Sequence, residues 1–233
     1  MPEAQSVQTM FAGIAHRYDL ANRVLSGGFD IGWRRALVRT VAAESPKTVV
    51  DLATGSGDVA FALRRGLSDD ISVRGLDFCE PMLVEARKKQ AERGVQPSID
   101  FSFGDCLNLD LPDASVDAIT ISFGYRNLEN RDIGLKEFLR VLSPGGSLLI
   151  LEFSQPYRVL RPFYYLYLKY ILPHLASALT RDRGAYNYLA CSIEDFPDHS
   201  SLSNEIEAAG FEKTSVKRMT GGIVAMHHAV KSR

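Results

Sequence analysis

The 233-residue sequence predicts a doubly wound, mostly parallel α/β sheet that ends in an antiparallel hairpin. Three observations carry this expectation. From Pro46 onward, short apolar runs alternate with amphipathic stretches, a rhythm that requires a parallel sheet with right-handed crossovers. A glycine turn, Gly55-Ser56-Gly57, directly follows the first of those runs. Two strand-like segments close the chain around the short Thr220-Gly221-Gly222 turn.

Residues 1–45 read as a helical cap. Val7, Met10, Phe11 and Ile14 fall at i, i+3, i+4 and i+7, one apolar helical face. The Gly27-Gly28 pair breaks the chain before an Arg-rich helix from Trp33 to Ala43. The core occupies residues 46–153. Val49 and Val50 belong to a strand ending at Asp51, and Phe61, Ala62 and Leu63 mark the helix after the glycine turn. A second strand runs from Ile71 to Asp77. Pro81 suits the first turn of the next helix, where its missing N–H costs nothing, and Gly94 suits the end. Ile99 to Phe103 is a third strand. Val116 to Phe123 is a fourth, apolar enough to be buried on both faces. Leu135, Phe138, Leu139 and Leu142 stripe the following helix, and Ser147 to Phe153 is the fifth strand.

Residues 154–197 break the rhythm. Tyr157, Tyr164, Tyr165, Tyr167 and Tyr170 crowd into this insertion, which is expected to form a lid. In residues 198–233, Leu202, Ile206 and Ala209 share a helical face and Gly210 stops the helix. Hairpin strands follow around Val216 and from Ile223 to Val230. One domain accommodates the whole chain.

Composition excludes several classes. Hydrophobic residues make up 45% and charged residues 24%, an ordinary globular balance. The 27 Lys and Arg against 28 Asp and Glu give a net charge of −1, without the basic face a nucleic-acid binder needs. Cys79, Cys106 and Cys191 are odd in number and widely spaced, so no disulfide framework is expected and a reducing cytoplasm is the natural compartment. The opening Met-Pro-Glu-Ala-Gln-Ser lacks the pattern of a secretory signal.

Open parallel sheets bind ligands beyond the carboxyl ends of their strands. There the sequence places Asp51-Leu-Ala-Thr-Gly-Ser-Gly-Asp58, then Asp77, then Gly104-Asp105-Cys106, then Ser122-Phe-Gly-Tyr-Arg-Asn127. Gly55, Gly57 and Ala60 satisfy the loose dinucleotide fingerprint, and an acid at the second strand end can grip a ribose diol. A pyrophosphate, however, wants positive charge, and no Lys or Arg lies between Asp51 and Asp58. Asp77 and Asp105 should converge on the same crevice. Several carboxylates suit a ligand carrying a sulfonium and an ammonium, namely S-adenosylmethionine. Asp77 would take the ribose hydroxyls, while Asp105 and the backbone near Cys106 would meet the adenine. The glycine turn would admit the methionyl part.

The motifs just quoted resemble those of the C-methyltransferases of menaquinone and ubiquinone biosynthesis. So do Tyr18-Asp-Leu-Ala-Asn22, Ser26, Trp33, the block from Arg140 to Ser154, and Thr220-Gly-Gly-Ile-Val-Ala-Met-His227. The likeness runs from about Met10 to His228. It implies a class I S-adenosylmethionine-dependent methyltransferase fold with cofactor contacts at Ser56, Asp77, Asp105, Cys106 and Ser122. It also implies methyl transfer to a ring carbon of a reduced prenylated quinone, demethylmenaquinol first and the ubiquinol precursor second. Asp30-Ile31, Ser143 and Ser56 depart from the family pattern, and Ser56 keeps the hydroxyl.

That reaction needs a phenolate, so a cation at the ring oxygen would help. Arg126, beside Asn127, is the candidate, with Tyr18 placed second by the resemblance. No proton acceptor stands out. The histidines do not suggest a metal: His227 and His228 are adjacent and point to opposite strand faces, and His16, His174 and His199 lack partner spacing. Lys169, Pro173 and His174 interrupt Tyr157–Leu179, so that segment should pack as a lid with an apolar wall for a prenyl tail. Contact with the inner face of the membrane would then be peripheral. A homodimer is compatible with this reading. The rival classes are a methyltransferase for another lipid or an amine, a nicotinamide-dependent oxidoreductase, and a non-catalytic binding module.

Overall fold

The computed structural model describes Arg23, residues 26–171 and residues 183–233. The expected helix over Val7–Ile14 and the segment from Tyr18 to Asn22 lie outside the described residues, as do His16, Pro173 and His174. Helix α1 (Asp30–Ala43) precedes β1 (Thr48–Leu52), α2 (Asp58–Gly66), β2 (Ser72–Asp77), α3 (Glu80–Arg93) and β3 (Asp100–Phe103). Then come β4 (Val116–Ser122), α4 (Arg131–Val141), β5 (Leu142–Phe153), α5 (Arg161–Leu166) and α6 (Arg183–Glu194). Helix α7 (His199–Ala208) and the strands β6 (Phe211–Met219) and β7 (Val224–Lys231) complete the chain.

The seven strands form one sheet in the order β3-β2-β1-β4-β5-β7-β6. Strands β1 to β5 pair in parallel, whereas β7 pairs antiparallel with both β5 and β6. The expected hairpin is therefore present, with its second strand inserted beside the parallel core. The order reverses between β1 and β4, which opens a crevice above their carboxyl ends.

Strand periodicity distributes the core. Val50, Leu52, Ile119, Ile121, Leu148 and Ile150 face one side, against Leu135 and Phe138 of α4 and Leu202 and Ile206 of α7. Val49, Val73, Ala118, Leu149 and Leu151 face the other, against Leu37, Phe61 and Leu83. Pro81 lies in the first turn of α3, and Gly94 caps it with φ +57°. Gly57, at φ +87°, turns the chain into α2; a Cβ there would lie 2.8 Å from the Phe101 ring.

One boundary differs from expectation. Strand β5 begins at Leu142, which pairs with Val116, rather than at Ser147. Pro144 disfavours helical backbone at Ser143, so α4 stops and Leu142 joins the sheet.

Candidate functional site

The loops above the switch point enclose a cavity of about 300 Å3. Its lining draws on four strand ends: Ala53 and Gly55 after β1, Asp77 and Phe78 after β2, Phe103, Asp105 and Cys106 after β3, and Ser122, Phe123 and Gly124 after β4. Asn127, Leu128 and Glu129 close the rim. Backbone strain collects here. Ala53 and Phe123 carry φ of +48° and +56°, in a region that side chains rarely occupy. Gly124 lets the two loops meet, since an added Cβ would lie 2.6 Å from that of Ala53.

Asp77 ties the glycine turn to α3. Its Oδ2 accepts from the Gly55 amide at 2.7 Å and its Oδ1 from the Cys79 amide at 2.8 Å. Burial raises its pKa, and those amides pull it partly back. A carboxylate accepts about four hydrogen bonds, so the group keeps acceptor capacity for a diol. Asp105 is exposed and shapes its own turn by accepting from the Leu107 amide at 2.9 Å. The Cys106 thiol is pushed far up by burial, with Asp77 and Asp105 adding to the shift, so it remains a neutral wall. The Ser122 hydroxyl is buried without a hydrogen-bond partner among the described residues. A buried hydroxyl lacking a partner is costly, and this one sits on the cavity wall.

Gly55, Asp77, Asp105, Cys106, Ser122 and Asn127 thus meet in one lining. Ser56 and Gly57 are not among the lining residues; Ser56 is buried, and its carbonyl accepts from Lys89 Nζ at 3.3 Å. The source of negative charge also differs from expectation. Asp51 lies beneath the loop, bonded by Thr54 at 2.6 Å and Thr120 at 2.7 Å, and burial pushes its carboxyl up to about 7. Asp58 faces away and pairs with Arg34 at 3.1 Å. Asp77, Asp105 and Glu129 supply the carboxylates instead, and among the described residues no Lys or Arg lines the cavity.

Arg126 does not line this cavity. Its Nη1 lies 3.0 Å from Glu152 Oε1 and also donates to the Phe123 carbonyl, while its Nε reaches Ser192 Oγ at 3.3 Å. Glu152 accepts from the Phe153 amide as well, at 2.9 Å. The guanidinium, the candidate cation for the ring oxygen, is therefore paired inside the fold. Sequence reading had passed over Glu152, although an acid within the apolar run Leu148–Phe153 was a visible signal. It also missed Glu129 and Phe103, whose ring is 65% exposed. Tyr188, which donates to Asn127 Oδ1 at 2.9 Å, went unremarked. Tyr18 lies outside the described residues.

Asp30, the departure noted above, is buried and paired with Arg34, which also holds Asp58. It braces α1 against the first turn of α2. Trp33 on the same helix donates to Thr220 Oγ1 at 2.8 Å and its ring sits 5.8 Å from that of Phe123. Among the described residues, no group of three or more His, Cys, Asp or Glu is arranged to hold a metal ion.

The fold is shared with solved methyltransferases. An S-adenosylmethionine-dependent methyltransferase from Aquifex aeolicus superposes with a TM-score of 0.59 at 21% identity, covering 79% of this chain and 81% of that one. One described as putative, from Methanococcus maripaludis, gives 0.64 at 18% identity over 93% and 92%. Sequence relatives are closer. The demethylmenaquinone methyltransferase of Deinococcus radiodurans is 44% identical over 96% of this chain and 92% of its own length. The Thermus thermophilus protein of that name is 42% identical over 94% and 98%. The ubiquinone/menaquinone biosynthesis C-methyltransferase UbiE of Shewanella pealeana is 37% identical over 98% and 93%. The model of the ubiE/COQ5 methyltransferase family matches residues 1–231, and the chain belongs to that family.

Proposed function

We propose that the protein transfers a methyl group from S-adenosylmethionine to a ring carbon of a reduced, prenylated quinone, demethylmenaquinol becoming menaquinol. The observation that carries this reading is the cavity at the switch point, lined among the described residues by three carboxylates and no cation, in a chain of this family. The residues fit the donor. Asp77 would hold the ribose, the Ser122 hydroxyl would gain a partner, and the space beside Gly55, where an added Cβ meets nothing within 4 Å, would admit the methionyl backbone. The exposed Phe103 ring offers the adenine an apolar face. When bound, the sulfonium supplies an electrophilic methyl group.

The acceptor carbon becomes nucleophilic as its neighbouring hydroxyl loses a proton. At pH 7 that ionisation costs roughly 4 kcal/mol for a phenol of pKa about 10. Asn127 is the polar rim group with a fixed orientation: its Oδ1 is engaged by Tyr188, so its amide N–H groups are the donors left for the ring oxygen. The buried Arg126–Glu152 pair holds the loop carrying Asn127, acting by position. The tyrosine-rich segment walls the prenyl tail, and the protein works peripherally at the cytoplasmic face of the membrane. Labelled S-adenosylmethionine and demethylmenaquinol should give a ring-methylated product. Label appearing instead on an amine or another lipid, with the quinol untouched, would overturn the reading.

A further inference from the structure

The segment before α6 is apolar on two opposite sides. Tyr164 and Leu168 are buried against the body of the protein, yet Val159 and Phe163 are 79% and 70% exposed. Leu166 and Tyr170 continue that outer ridge at helical spacing, both more than half exposed. The sequence from residue 153 to residue 181 holds no Asp or Glu but does hold Arg158, Arg161, Lys169 and Arg181, in a chain whose net charge is −1.

Beside the ridge lies a second cavity of about 300 Å3, lined by Tyr157, Arg158, Arg161, His199, Arg218 and Asp198, among others. Among the described residues none of the three guanidiniums forms an ion pair. Two are held in place by carbonyls. Arg161 Nε donates to Pro156 at 3.1 Å, and Arg218 Nη2 donates to Gln155 at 3.1 Å while stacking 4.1 Å from the Tyr157 ring. The Arg218 Nε is buried without a partner among the described residues. Among the described residues the lining holds one carboxylate, Asp198, which caps α7 by accepting from the Ser201 amide at 2.9 Å. The hairpin turn is cut to fit both features. A Cβ at Gly222 would lie 2.5 Å from Arg218 Nη2, and one at Gly221 would strike Leu160, next to Val159 of the ridge.

We propose that this cavity receives the phosphate of an anionic phospholipid while the adjoining ridge, Val159, Phe163, Leu166 and Tyr170, enters the bilayer surface. Unpaired arginines match a phosphate fork to fork, and exposed apolar side chains beside them match the acyl boundary. A free phosphate ion would explain the arginines and leave the ridge unused. The proposal deepens the quinol reading by naming the surface from which a bilayer-dissolved substrate is taken.

Cosedimentation of the full chain with vesicles tests it. The protein should bind phosphatidylcholine vesicles containing phosphatidylglycerol, more weakly at high salt, and bind pure phosphatidylcholine poorly. Each basic residue at an anionic surface is worth about fivefold, so R158Q with R161Q should weaken binding about 25-fold. Phe163→Ser, at an exposed position that leaves folding intact, should weaken binding as well. Equal binding to both vesicle types, or unchanged binding by both variants, would overturn the proposal. So would calorimetric binding of inorganic phosphate that depends on these arginines without vesicle binding. Methyl transfer to a short-tailed soluble quinol should persist in the variants. If wild type methylates no quinol yet binds vesicles as described, the quinol reading falls and the lipid site stands.

Discussion

The Arg126 guanidinium lies 3.0 Å from the Glu152 carboxylate, with side-chain exposures of 4% and 1%. Strand β5 thereby holds the loop after β4 from within. Removing one partner of a buried pair leaves the other charge uncompensated, at about 3–5 kcal/mol, whereas replacing both with apolar groups is often neutral. Arg126→Met alone or Glu152→Met alone should therefore lower the denaturation midpoint sharply, and R126M combined with E152M should recover most of the loss. Urea unfolding of the four forms checks this; additive effects would mean the charges do not interact.

Asp77→Ala should weaken S-adenosylmethionine binding by about 1.5–3 kcal/mol, the size of lost charge-assisted hydrogen bonds. Isothermal calorimetry reads it directly. NAD should give no binding heat, because the carboxylate lining disfavours a diphosphate. Unchanged cofactor affinity in a folded variant would remove Asp77 from the site.

Ser122→Ala separates binding from folding in a single position. The hydroxyl is buried and has no partner among the described residues, so deleting it should leave stability unchanged or slightly raised. Cofactor affinity should fall about fivefold, for a neutral hydrogen bond of about 1 kcal/mol. A stability loss without an affinity change would reverse the assignment.

The sheet was legible because its code is local. Apolar runs of strand length, Gly57, Pro81 and the Thr220–Gly222 turn each specify backbone conformation within a few residues. Asp77, Asp105 and Ser122 were legible for the same reason, since strand ends converge in any doubly wound sheet. The pairing of Arg126 was not legible because its partner lies 26 positions away, in a register that only the folded sheet fixes. Asp58 was a like case: Arg34 reaches it across 24 residues. Tyr188 sits in an insertion whose path no repeating pattern dictates.

The contribution of Asp51 to stability should fall as pH rises from about 4 to 7. Burial raises the Asp51 pKa from 3.8 to about 7, so the folded state holds a proton that the unfolded chain has released. Its contribution is complete below 3.8 and is lost as pH climbs through about 7. Asp77 is shifted in the same direction. His227, lowered by burial, acts oppositely by losing stability as pH falls below 6.5. Asp51→Asn isolates the first effect: its unfolding free energy should show a flatter decline across that window. An identical slope in wild type and variant would mean Asp51 is ionised in the fold.

The Tyr188–Asn127 hydrogen bond should govern turnover without governing cofactor affinity. Tyr188 rises from α6, outside the cofactor cavity, and its hydroxyl fixes the Asn127 amide by donating to Oδ1. Asn127 itself lines the cavity wall. Tyr188→Phe keeps the ring and its packing and removes one neutral hydrogen bond, worth about 1 kcal/mol. If the freed amide samples both orientations, its N–H groups meet the ring oxygen less often, and kcat should drop about fivefold with S-adenosylmethionine affinity unchanged. Burial holds the Tyr188 hydroxyl above its usual pKa, so it stays a donor throughout the neutral range and the effect should not vary with pH from 6 to 9. Loss of cofactor binding in Tyr188→Phe would instead mean that Asn127 serves the donor, and the ring-oxygen role would pass to another group.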